Sequence, residues 1–328
     1  MTSRLSVTVD AFSLAKQFTI ARGAKTEAVV VSCTISKNGL IGRGECVPYA
    51  RYGESVESVV SAIESVRAAV EAGLDRAGLQ TLLAPGAARN AVDCALWDLE
   101  AKTSGVRASK LAGLPPLKPI DTAYTISLGT PEEMAAAARL VSHRSVLKVK
   151  VGRGEDDPAR MRAVREAAPG VRLIIDANEG WTPDNLKQNL LAAAAIGAFV
   201  VEQPLPADQD DILARTPHPV PICADESVHG SADLHRLVGR YDYVNLKLDK
   251  TGGLTEGLVF LTEARRLGFG VMVGCMVGTS LGMAPAILVA QGAELVDLDG
   301  PLLLREDRPN GLRYEGSLVF PPEPMLWG

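Results

Sequence analysis

Short apolar runs alternate with amphipathic stretches between about residue 120 and residue 300. Each apolar run is long enough for one buried strand, and each stretch that follows is rich in Ala, Leu, Arg and Glu. Eight of the runs are predicted as strands: Thr122–Ser127, Ser145–Val151, Arg172–Asp176, Phe199–Glu202, Ile222–Asp225, Tyr243–Leu248, Gly270–Gly274 and Leu295–Asp297. Eight strands with helical segments between them predict an α/β fold of the (β/α)₈-barrel type.

The first third of the chain has a different texture, which is typical of a mixed α+β unit. Val7–Phe12 and Glu27–Ser36 have strand-like patterns, and residues 37–39 (Lys-Asn-Gly) are typical of a hairpin turn. Three helical patterns follow: Ser55–Ala72, Asp75–Leu83 and Ala87–Thr103. Gly105 suits the C-cap of the third helix.

Near its end the chain becomes strand-like again, at Leu318–Phe320, and we expect this tail to return to the N-terminal unit. The predicted architecture is therefore an α+β capping domain over residues 1–118, completed by residues 304–328, and a catalytic barrel over residues 119–303. No linker or low-complexity tract separates the two parts, so we expect them to pack tightly.

Composition and charge exclude some classes of partner. The chain is 47% hydrophobic and 22% charged, which is ordinary for a globular protein. The formal net charge is −5, and Lys and Arg are scattered along the chain, so a basic stripe for nucleic acid is not expected.

The five cysteines are odd in number and show no Cys-x-x-Cys spacing, which favours reduced thiols over a disulfide framework. No stretch approaches ~18 consecutive apolar residues, so no membrane span is predicted. Met1–Asp10 lacks the apolar segment of a secretory signal. A cytoplasmic location is the resulting expectation.

Three successive predicted strands end in an acid: Asp176, Glu202 and Asp225. The carboxyl ends of barrel strands meet on one face, where barrel enzymes keep their active sites. Three carboxylates gathered there raise one another's pKa values unless a cation neutralises them, and oxygen ligands of this kind suit Mg²⁺ better than Zn²⁺. A single acid after a strand is as often a helix N-cap or a solvated loop residue, but three in succession favour a metal site.

Two of the predicted strands carry lysines. Lys148 and Lys150 lie at i and i+2 of the second barrel strand, and Lys247 lies in the sixth. An exposed edge strand would show the same alternation, but within a barrel we expect these lysines to point inward. Strands two and six of eight stand opposite each other, so Lys150 and Lys247 would flank a central ligand. Burial and neighbouring cations would lower the pKa of a lysine base toward working pH.

These segments resemble the motif series of the muconate-lactonizing-enzyme subgroup of the enolase superfamily. The motifs are Lys148-Val-Lys150, Asp176-Ala-Asn178, Glu202-Gln-Pro204, Ala224-Asp-Glu226-Ser227 and Asn245-Leu-Lys247 with Lys250-Thr-Gly-Gly253. Within this subgroup the chain most resembles the bacterial L-Ala-D/L-Glu epimerases. The supporting segments are residues 20–23, 44–49, 51–54, 86–90 and 297–301. The resemblance covers nearly the whole chain.

The resemblance implies a Mg²⁺-dependent isomerase that epimerises dipeptides at the carbon next to the C-terminal carboxylate. It implies one Mg²⁺ per subunit on Asp176, Glu202 and Asp225, which would stabilise the enediolate formed on deprotonation. Lys150 and Lys247 would be the paired acid/base catalysts. The implied reaction interconverts L-Ala-L-Glu and L-Ala-D-Glu, in murein peptide metabolism.

The resemblance also implies how the substrate is held. Lys148 would help to hold the substrate carboxylate. Two capping loops, near Ala21–Lys25 and Pro48–Gly53, would close over the barrel mouth and select the substrate. Glu226 would support Lys247 or Asp225.

Asp297-x-Asp299, at the end of the eighth strand, resembles the pair that receives the free α-ammonium of a dipeptide. A helix cap or a surface acid pair would have the same pattern, but the Gly-Pro that follows favours an ordered turn over a helix start. Arg22, on the first capping loop, would meet the side-chain carboxylate of a Glu or Asp residue. Thr125 and Cys275 are expected to line the pocket, Cys275 as a contact and not as a nucleophile.

Alternatives remain at this point. A lyase or cycloisomerase, such as o-succinylbenzoate synthase or muconate cycloisomerase, would share the metal and the lysines, since the fold does not fix the substrate. Such substrates have no ammonium group for Asp297 and Asp299 to bind. A barrel that only binds a ligand is disfavoured, because every member of the metal and lysine set is present. The expected partner is a small dipeptide, and self-association stays open.

Overall fold

A computed structural model describes residues 3–328. Met1 and Thr2, the first two residues of the predicted capping domain, lie outside the described residues.

The N-terminal part is an antiparallel sheet covered by helices. Its three strands, adjacent in this order, are β1 (Arg4–Ile20), β2 (Gly23–Lys37) and β3 (Leu40–Cys46). Its helices are α1 (Val56–Ser65), α2 (Arg67–Glu71), α3 (Arg76–Leu82), α4 (Ala87–Ser104) and α5 (Ala108–Leu111). The strands and α1 to α4 enclose an apolar core of their own, around residues such as Ile35, Ile63 and Leu79.

The predicted hairpin turn is confirmed. Asn38 and Gly39 have φ values of 54° and 80°, the left-handed pair that a two-residue hairpin turn requires. The strands are longer than predicted, because the pairing of β1 with β2 continues to Ile20 and Gly23. The expected first capping loop, Ala21–Lys25, is therefore the tip of a long hairpin.

The predicted helix Ser55–Ala72 is wrong as a single element. It is interrupted at Val66, where ψ is 1° and the N–H bonds back to the carbonyl of Ile63 in a tight turn. The helix predicted over Ala87–Thr103 is confirmed as α4, and Gly105 ends it with a φ of 67°.

The predicted barrel is confirmed. Eight parallel strands follow one another round it: β5 (Tyr124–Ile126), β6 (Val146–Lys150), β7 (Arg172–Asp176), β8 (Val200–Glu202), β9 (Ile222–Ala224), β10 (Tyr243–Leu246), β11 (Gly270–Gly274) and β12 (Leu295–Asp297). A hydrogen bond of 2.8 Å from Ala123 N to Val296 O joins the first of these segments to the last. The first strand is shorter than predicted, since Thr122 and Ser127 lie outside it.

Helices follow the barrel strands, and most of them pack against the outside of the barrel and bury its apolar residues. They are α6 (Pro131–Leu140), α7 (Asp157–Ala167), α8 (Pro183–Ala195), α9 (Leu234–Leu237), α10 (Leu248–Thr251), α11 (Leu254–Arg266), α12 (Ser280–Ala290) and α13 (Gly300–Leu303). Within residues 3–328, no helix is both long and apolar enough to cross a membrane.

The tail contacts both the start of the barrel and the N-terminal part. Its strands, β13 (Tyr314–Glu315) and β14 (Leu318–Val319), pair with β4 (Ile120–Asp121) and not with the N-terminal sheet. The chain end does reach the N-terminal part, because Trp327 Nε1 donates to Cys94 O on α4 at 3.0 Å. The domain boundaries themselves stay a prediction.

Candidate active site

A cavity of about 540 Å³ lies where the carboxyl ends of the barrel strands face the N-terminal part of the chain. Nine of the predicted site residues line it: Arg22, Thr125, Lys148, Lys150, Asp225, Lys247, Cys275, Asp297 and Asp299. The other two, Asp176 and Glu202, are fully buried and contact Lys148, which lines the cavity.

Strand register brings the three strand-end acids together. Asp176 pairs in register with Lys150 on one side and with Glu202 on the other. Glu202 pairs with Cys223, so Asp225 lies two residues further along β9's direction, on the same face. Period-two alternation therefore turns all three carboxylates to the inside of the barrel.

Lys150 and Lys247 approach the cavity from opposite sides. Strands β6 and β10 are separated by three strands in either direction round the barrel. Lys150 Nζ lies 2.6 Å from Asp176 Oδ2, and Lys247 Nζ lies 2.6 Å from Asp225 Oδ2. A ligand between them would have a proton donor or acceptor on each face.

In this arrangement the pKa of Lys247 is raised, and the expected lowering of a lysine pKa beside a bound cation stays a prediction. Burial acts to lower the pKa of Lys247, but the carboxylates around it, Asp225 first, outweigh burial and hold the pKa well above its usual value. The same balance raises the pKa of Lys148, whose largest opposing charge is Asp297.

Lys148 joins the strand-end acids to the eighth strand. Its Nζ lies 2.7 Å from Asp297 Oδ2, 2.8 Å from Glu202 Oε2 and 3.1 Å from Asp176 Oδ2. Its side chain is only 2% exposed. One ammonium therefore shares three carboxylates from three strands.

The acids differ in how well their charge is compensated. Burial and the neighbouring charge of Asp176 raise the pKa of Glu202 to about 7. Burial also acts to raise the pKa of Asp176 and of Asp225, but the lysines outweigh it and both pKa values fall below the usual range. Glu202 is thus the acid with the least compensation.

The donor atoms fit a hard cation by their chemistry. Three carboxylates are buried together, and Glu202 Oε2 makes no hydrogen bond of good geometry although it faces Lys148. The amide oxygens of Asn178 and Asn245 are also buried without a partner. An all-oxygen donor set with net negative charge is the set that Mg²⁺ prefers.

Between Ser3 and Gly328, however, no three Asp, Glu, His or Cys side chains form a ready-made metal cage. The amines contact these carboxylates: Lys148 bridges Asp176 and Glu202, and Asp225 is shared by Lys247 and Lys250. A cation at these oxygens would have to compete with ammonium groups on long, rotatable side chains.

Asp297 and Asp299 are both buried beside the cavity. Asp299 Oδ2 accepts a hydrogen bond of 2.7 Å from Thr125 N, and burial together with the charge of Asp297 raises the pKa of Asp299 to about 7. Asp297 Oδ1 is buried with no hydrogen-bond partner. The predicted turn after Asp299 is wrong, because helix α13 starts at Gly300, but the Asp299 side chain does not cap it.

Arg22 is held by protein groups at the cavity mouth. Its Nη2 lies 2.6 Å from Glu226 Oε1 and 3.0 Å from Tyr49 Oη, and its Nη1 donates to Asn178 O at 2.7 Å. Glu226 therefore pairs with Arg22. It makes no hydrogen bond or ion pair with Lys247 or Asp225 in the described residues, and its expected support of them stays a prediction.

Cys275 and His229 lie close to the site without contacting the strand-end acids. Burial raises the pKa of the Cys275 thiol well above its usual value, which leaves it a poor nucleophile. His229, in the loop after β9, packs edge-on against Tyr52 with ring centroids 4.7 Å apart.

Two charged residues of the site were missed from the sequence. Lys250 belongs to a quoted motif, yet only the structure shows that its Nζ donates to Asp225 Oδ1 at 2.6 Å. Glu179 follows the strand-end Asp176 by three residues, and its carboxylate accepts hydrogen bonds from both Arg22 and Arg51. Sequence separations of 25 to 157 residues gave no local signal for these contacts.

Comparison with known proteins agrees with this geometry. The chain is 45% identical to the L-Ala-D/L-Glu epimerase of Escherichia coli (strain K12) over 93% of its own length and 95% of that protein's. It is 41% identical to an N-acetyl-D-glutamate racemase of a Pseudoalteromonas species, over 91% of this chain and 95% of that protein.

Solved structures are similar over almost the whole chain. One is an enolase family member from Agrobacterium tumefaciens with homology to dipeptide epimerases, with bound sodium and L-Ala-L-Glu and an ordered loop; it is 59% identical, with a TM-score of 0.98, over 99% of this chain and all of that one. Another is a dipeptide epimerase from Enterococcus faecalis V583 with Mg and L-Leu-L-Tyr, 29% identical, with a TM-score of 0.91, over 98% of this chain and 97% of that one.

Family models cover both parts of the molecule. Residues 4–113 match the N-terminal domain of mandelate racemases and muconate lactonizing enzymes, and residues 132–319 match the enolase C-terminal domain-like family. The chain therefore belongs to the mandelate racemase/muconate lactonizing enzyme family of the enolase superfamily.

Proposed function

We propose that this chain is a Mg²⁺-dependent dipeptide epimerase that interconverts L-Ala-L-Glu and L-Ala-D-Glu. The observation that carries the proposal is the placement of Lys150 and Lys247 on opposite sides of one cavity. Epimerisation needs a proton to leave one face of the α-carbon and another to arrive on the opposite face, and this pair of amines meets that need.

In the proposed reaction one lysine, in its neutral form, removes the proton next to the C-terminal carboxylate. The other, as an ammonium, returns a proton from the opposite side. Asp176, Glu202 and Asp225 would hold Mg²⁺, whose charge lowers the energy of the negative charge that develops on the substrate carboxylate. Lys148 would help to hold that carboxylate.

The two ends of the dipeptide would meet opposite charges. Asp297 and Asp299 would receive the α-ammonium of the first residue, because two buried acids beside each other favour a cation. At the mouth, the capping hairpin and loop contribute Arg22, Lys25 and Arg51 to the lining. Two carboxylates, Glu226 and Glu179, pair with the two arginines, so a net positive charge is left to favour an acidic side chain on the second residue. Thr125 and Cys275 would form part of the wall between them.

A second candidate is racemisation of an N-acylglutamate, which the likeness to an N-acetyl-D-glutamate racemase favours. An acylated nitrogen carries no charge. It would leave the buried Oδ1 of Asp297 without a partner, and it would leave Asp299 without a cation, because Lys148 contacts only Oδ2 of Asp297. The o-succinylbenzoate synthase and muconate cycloisomerase alternatives fail at the same point. We therefore place the dipeptide first.

Hydrogen exchange in D₂O tests the proposal. The purified protein with Mg²⁺ is incubated separately with L-Ala-L-Glu and with N-acetyl-L-glutamate, and deuterium at the Glu α-carbon and inversion of that centre are followed by NMR. We expect exchange with inversion for the dipeptide, at a much higher kcat/KM than for N-acetyl-L-glutamate. In an Asp299→Asn variant, the KM for the dipeptide should rise by about 10- to 100-fold, and the KM for N-acetyl-L-glutamate should not rise.

Preferential turnover of N-acetylglutamate would move the assignment to the second candidate, and exchange of neither compound would overturn both. A library of L-Ala-L-Xxx dipeptides, screened in the same way, then measures the breadth of specificity. We further propose a cytoplasmic role in murein peptide metabolism, in which deletion of the gene is expected to cause L-Ala-D-Glu to accumulate.

A further inference from the structure

Two separate segments close the cavity mouth. The first capping loop, together with the adjoining end of β1, spans residues 18–25 at the tip of the β1–β2 hairpin. The second, with one flanking residue on each side, spans residues 47–54 and follows β3. They touch each other through Arg22 Nη2 and Tyr49 Oη, 3.0 Å apart. Each must also be fixed to the barrel if the mouth is to keep one shape.

One barrel carboxylate contacts both loops. Arg51, on the second loop, binds Glu179 in a two-point contact, with Nε to Oε2 at 2.8 Å and Nη2 to Oε1 at 2.7 Å. Arg22, on the first loop, places Nη1 3.1 Å from Glu179 Oε2. The backbone N–H of Ala207, in the next barrel loop, donates to Glu179 Oε1 at 3.0 Å.

The local backbone presents this carboxylate in a fixed direction. Asn178 and Glu179 have φ values of 45° and 67°, a left-handed pair that non-glycine residues seldom adopt and that persists only where the surroundings enforce it. Behind them, a Cβ on Gly180 would lie 2.4 Å from Gly152 O, so the neighbouring loop packs directly against this turn. The Glu179 side chain is only 8% exposed.

Resting on the proposed function, we infer that Glu179 is a positioning residue whose carboxylate docks both capping loops on the barrel and so fixes the mouth of the dipeptide site. Arg51 makes no other ion pair within the described residues, so its orientation depends on Glu179. Arg22 keeps Glu226 as a second partner and is less dependent.

Glu179 should affect substrate binding and leave the chemical step unchanged. Glu179 makes no hydrogen bond or ion pair with Lys150, Lys247 or the strand-end acids in the described structure. Loss of its charge should therefore loosen the loops that cover the substrate and leave the reacting groups in place. KM should rise while kcat changes little.

The test compares Glu179→Gln, Arg51→Met, the double variant and the matched control Glu155→Gln, which removes an exposed carboxylate from another barrel loop. For Glu179→Gln we expect a KM for L-Ala-L-Glu about tenfold higher, kcat within about threefold, and faster amide exchange in residues 18–25 and 47–54. Arg51→Met should behave alike, and the double variant should be no worse than the single ones. Glu155→Gln should match the wild type.

Wild-type KM and wild-type amide exchange in Glu179→Gln, or KM effects that simply multiply in the double variant, would overturn the inference. Failure of the proposed function looks different, because the wild type would then not epimerise the dipeptide at all. The amide-exchange comparison still tests the docking in that case. Melting temperatures of all variants, measured in parallel, separate loop release from general unfolding.

Discussion

Lys148 illustrates how the site balances its charges residue by residue. Its single ammonium contacts Asp176, Glu202 and Asp297 at hydrogen-bonding distance, with nearly no exposure to water. A buried charge that loses its partners costs several kcal/mol, typically about 3–5. The position of each buried amine and carboxylate of the site therefore depends on its ion pairs with the others.

Lys150 and Lys247 are expected to serve opposite faces of the substrate α-carbon. Lys150→Ala and Lys247→Ala should each abolish epimerisation, because one face of the α-carbon then has no proton donor or acceptor. Each variant should still exchange the α-proton of one stereoisomer, and the two variants should prefer opposite stereoisomers. NMR in D₂O with L-Ala-L-Glu and L-Ala-D-Glu measures both properties, and full epimerase activity in either variant would contradict the scheme.

Single residues at strand ends could be predicted from the sequence because strand periodicity is local. Asp176, Glu202 and Asp225 each follow an apolar run, and a parallel barrel brings such positions to one face. Partners could not be predicted where side chains meet across the molecule. The contact of Arg22 with Glu226 depends on how far the hairpin bends over the barrel, which no local pattern encodes.

Between elements, Asp249 ties the second capping loop to helix α10. Its Oδ1 accepts hydrogen bonds from Val47 N at 3.1 Å and from Asn90 Nδ2 at 2.9 Å. Burial raises the pKa of Asp249 to about 7, although both hydrogen bonds act to lower it. The link is therefore made by a carboxyl group that titrates near neutrality.

This shift predicts how stability depends on pH. Because the folded-state pKa lies above the unfolded value of about 3.9, the folded protein binds the proton more tightly. The contribution of Asp249 is full below about pH 4 and is lost as pH rises toward 7, with a slope of up to about 1.4 kcal/mol per unit. Asp249→Asn keeps an acceptor for both hydrogen bonds and should remove this slope.

The measurement is the free energy of unfolding of wild type and Asp249→Asn between pH 4 and pH 8. As pH rises from 4 to 7, the free energy of unfolding of the wild type should fall relative to that of Asp249→Asn. A difference that stays constant with pH would show that Asp249 does not titrate in this range.

Close packing between barrel loops gives a second prediction at the element scale. Gly152 has a φ of 99°, and a Cβ there would lie 2.3 Å from Ala177 O. Gly197, after α8, also has a positive φ, of 65°, but a Cβ there would meet nothing within 4 Å. Gly152→Ala should lower the free energy of unfolding by about 3 kcal/mol or more, and Gly197→Ala by only about 1 kcal/mol, in urea titrations. Equal losses would contradict this account.

Elements with strong local signals were predictable, and the pairing partners of the shortest strands were not. The helix α4 carries a long apolar pattern and a C-cap glycine, and it was predicted to within one residue. Strands β4, β13 and β14 have two residues each, too few for any periodicity. Their pairing at residues 120–121 is decided by tertiary packing, so the partner of the tail strands could not be predicted, although the tail does return to contact the N-terminal part.

Across the whole molecule, buried polar contacts join the N-terminal part, the barrel and the tail. Glu45 on β3 accepts a hydrogen bond of 2.8 Å from Thr279 N, ahead of barrel helix α12, and one of 2.8 Å from Arg308 Nε in the tail. Arg308 also reaches Ser32 on β2. These contacts fix the N-terminal part to the barrel, and the cavity mouth lies between those two parts.

Metal binding should be visible at this scale. A cation that binds only the folded state raises stability by mass action, by about 2.7 kcal/mol at 100 times its Kd. We expect Mg²⁺ to raise the Tm in a concentration-dependent way, and Asp225→Asn to reduce the rise at equal concentration. An unchanged wild-type Tm at millimolar Mg²⁺ would argue against the proposed metal site.

The central claim is geometric, and a crystal structure with Mg²⁺ and L-Ala-L-Glu tests it most directly. We predict one cation bound by Asp176, Glu202 and Asp225, with the α-carbon of the Glu residue between Lys150 Nζ and Lys247 Nζ. A cation bound elsewhere, or both amines on the same face of that carbon, would contradict the account.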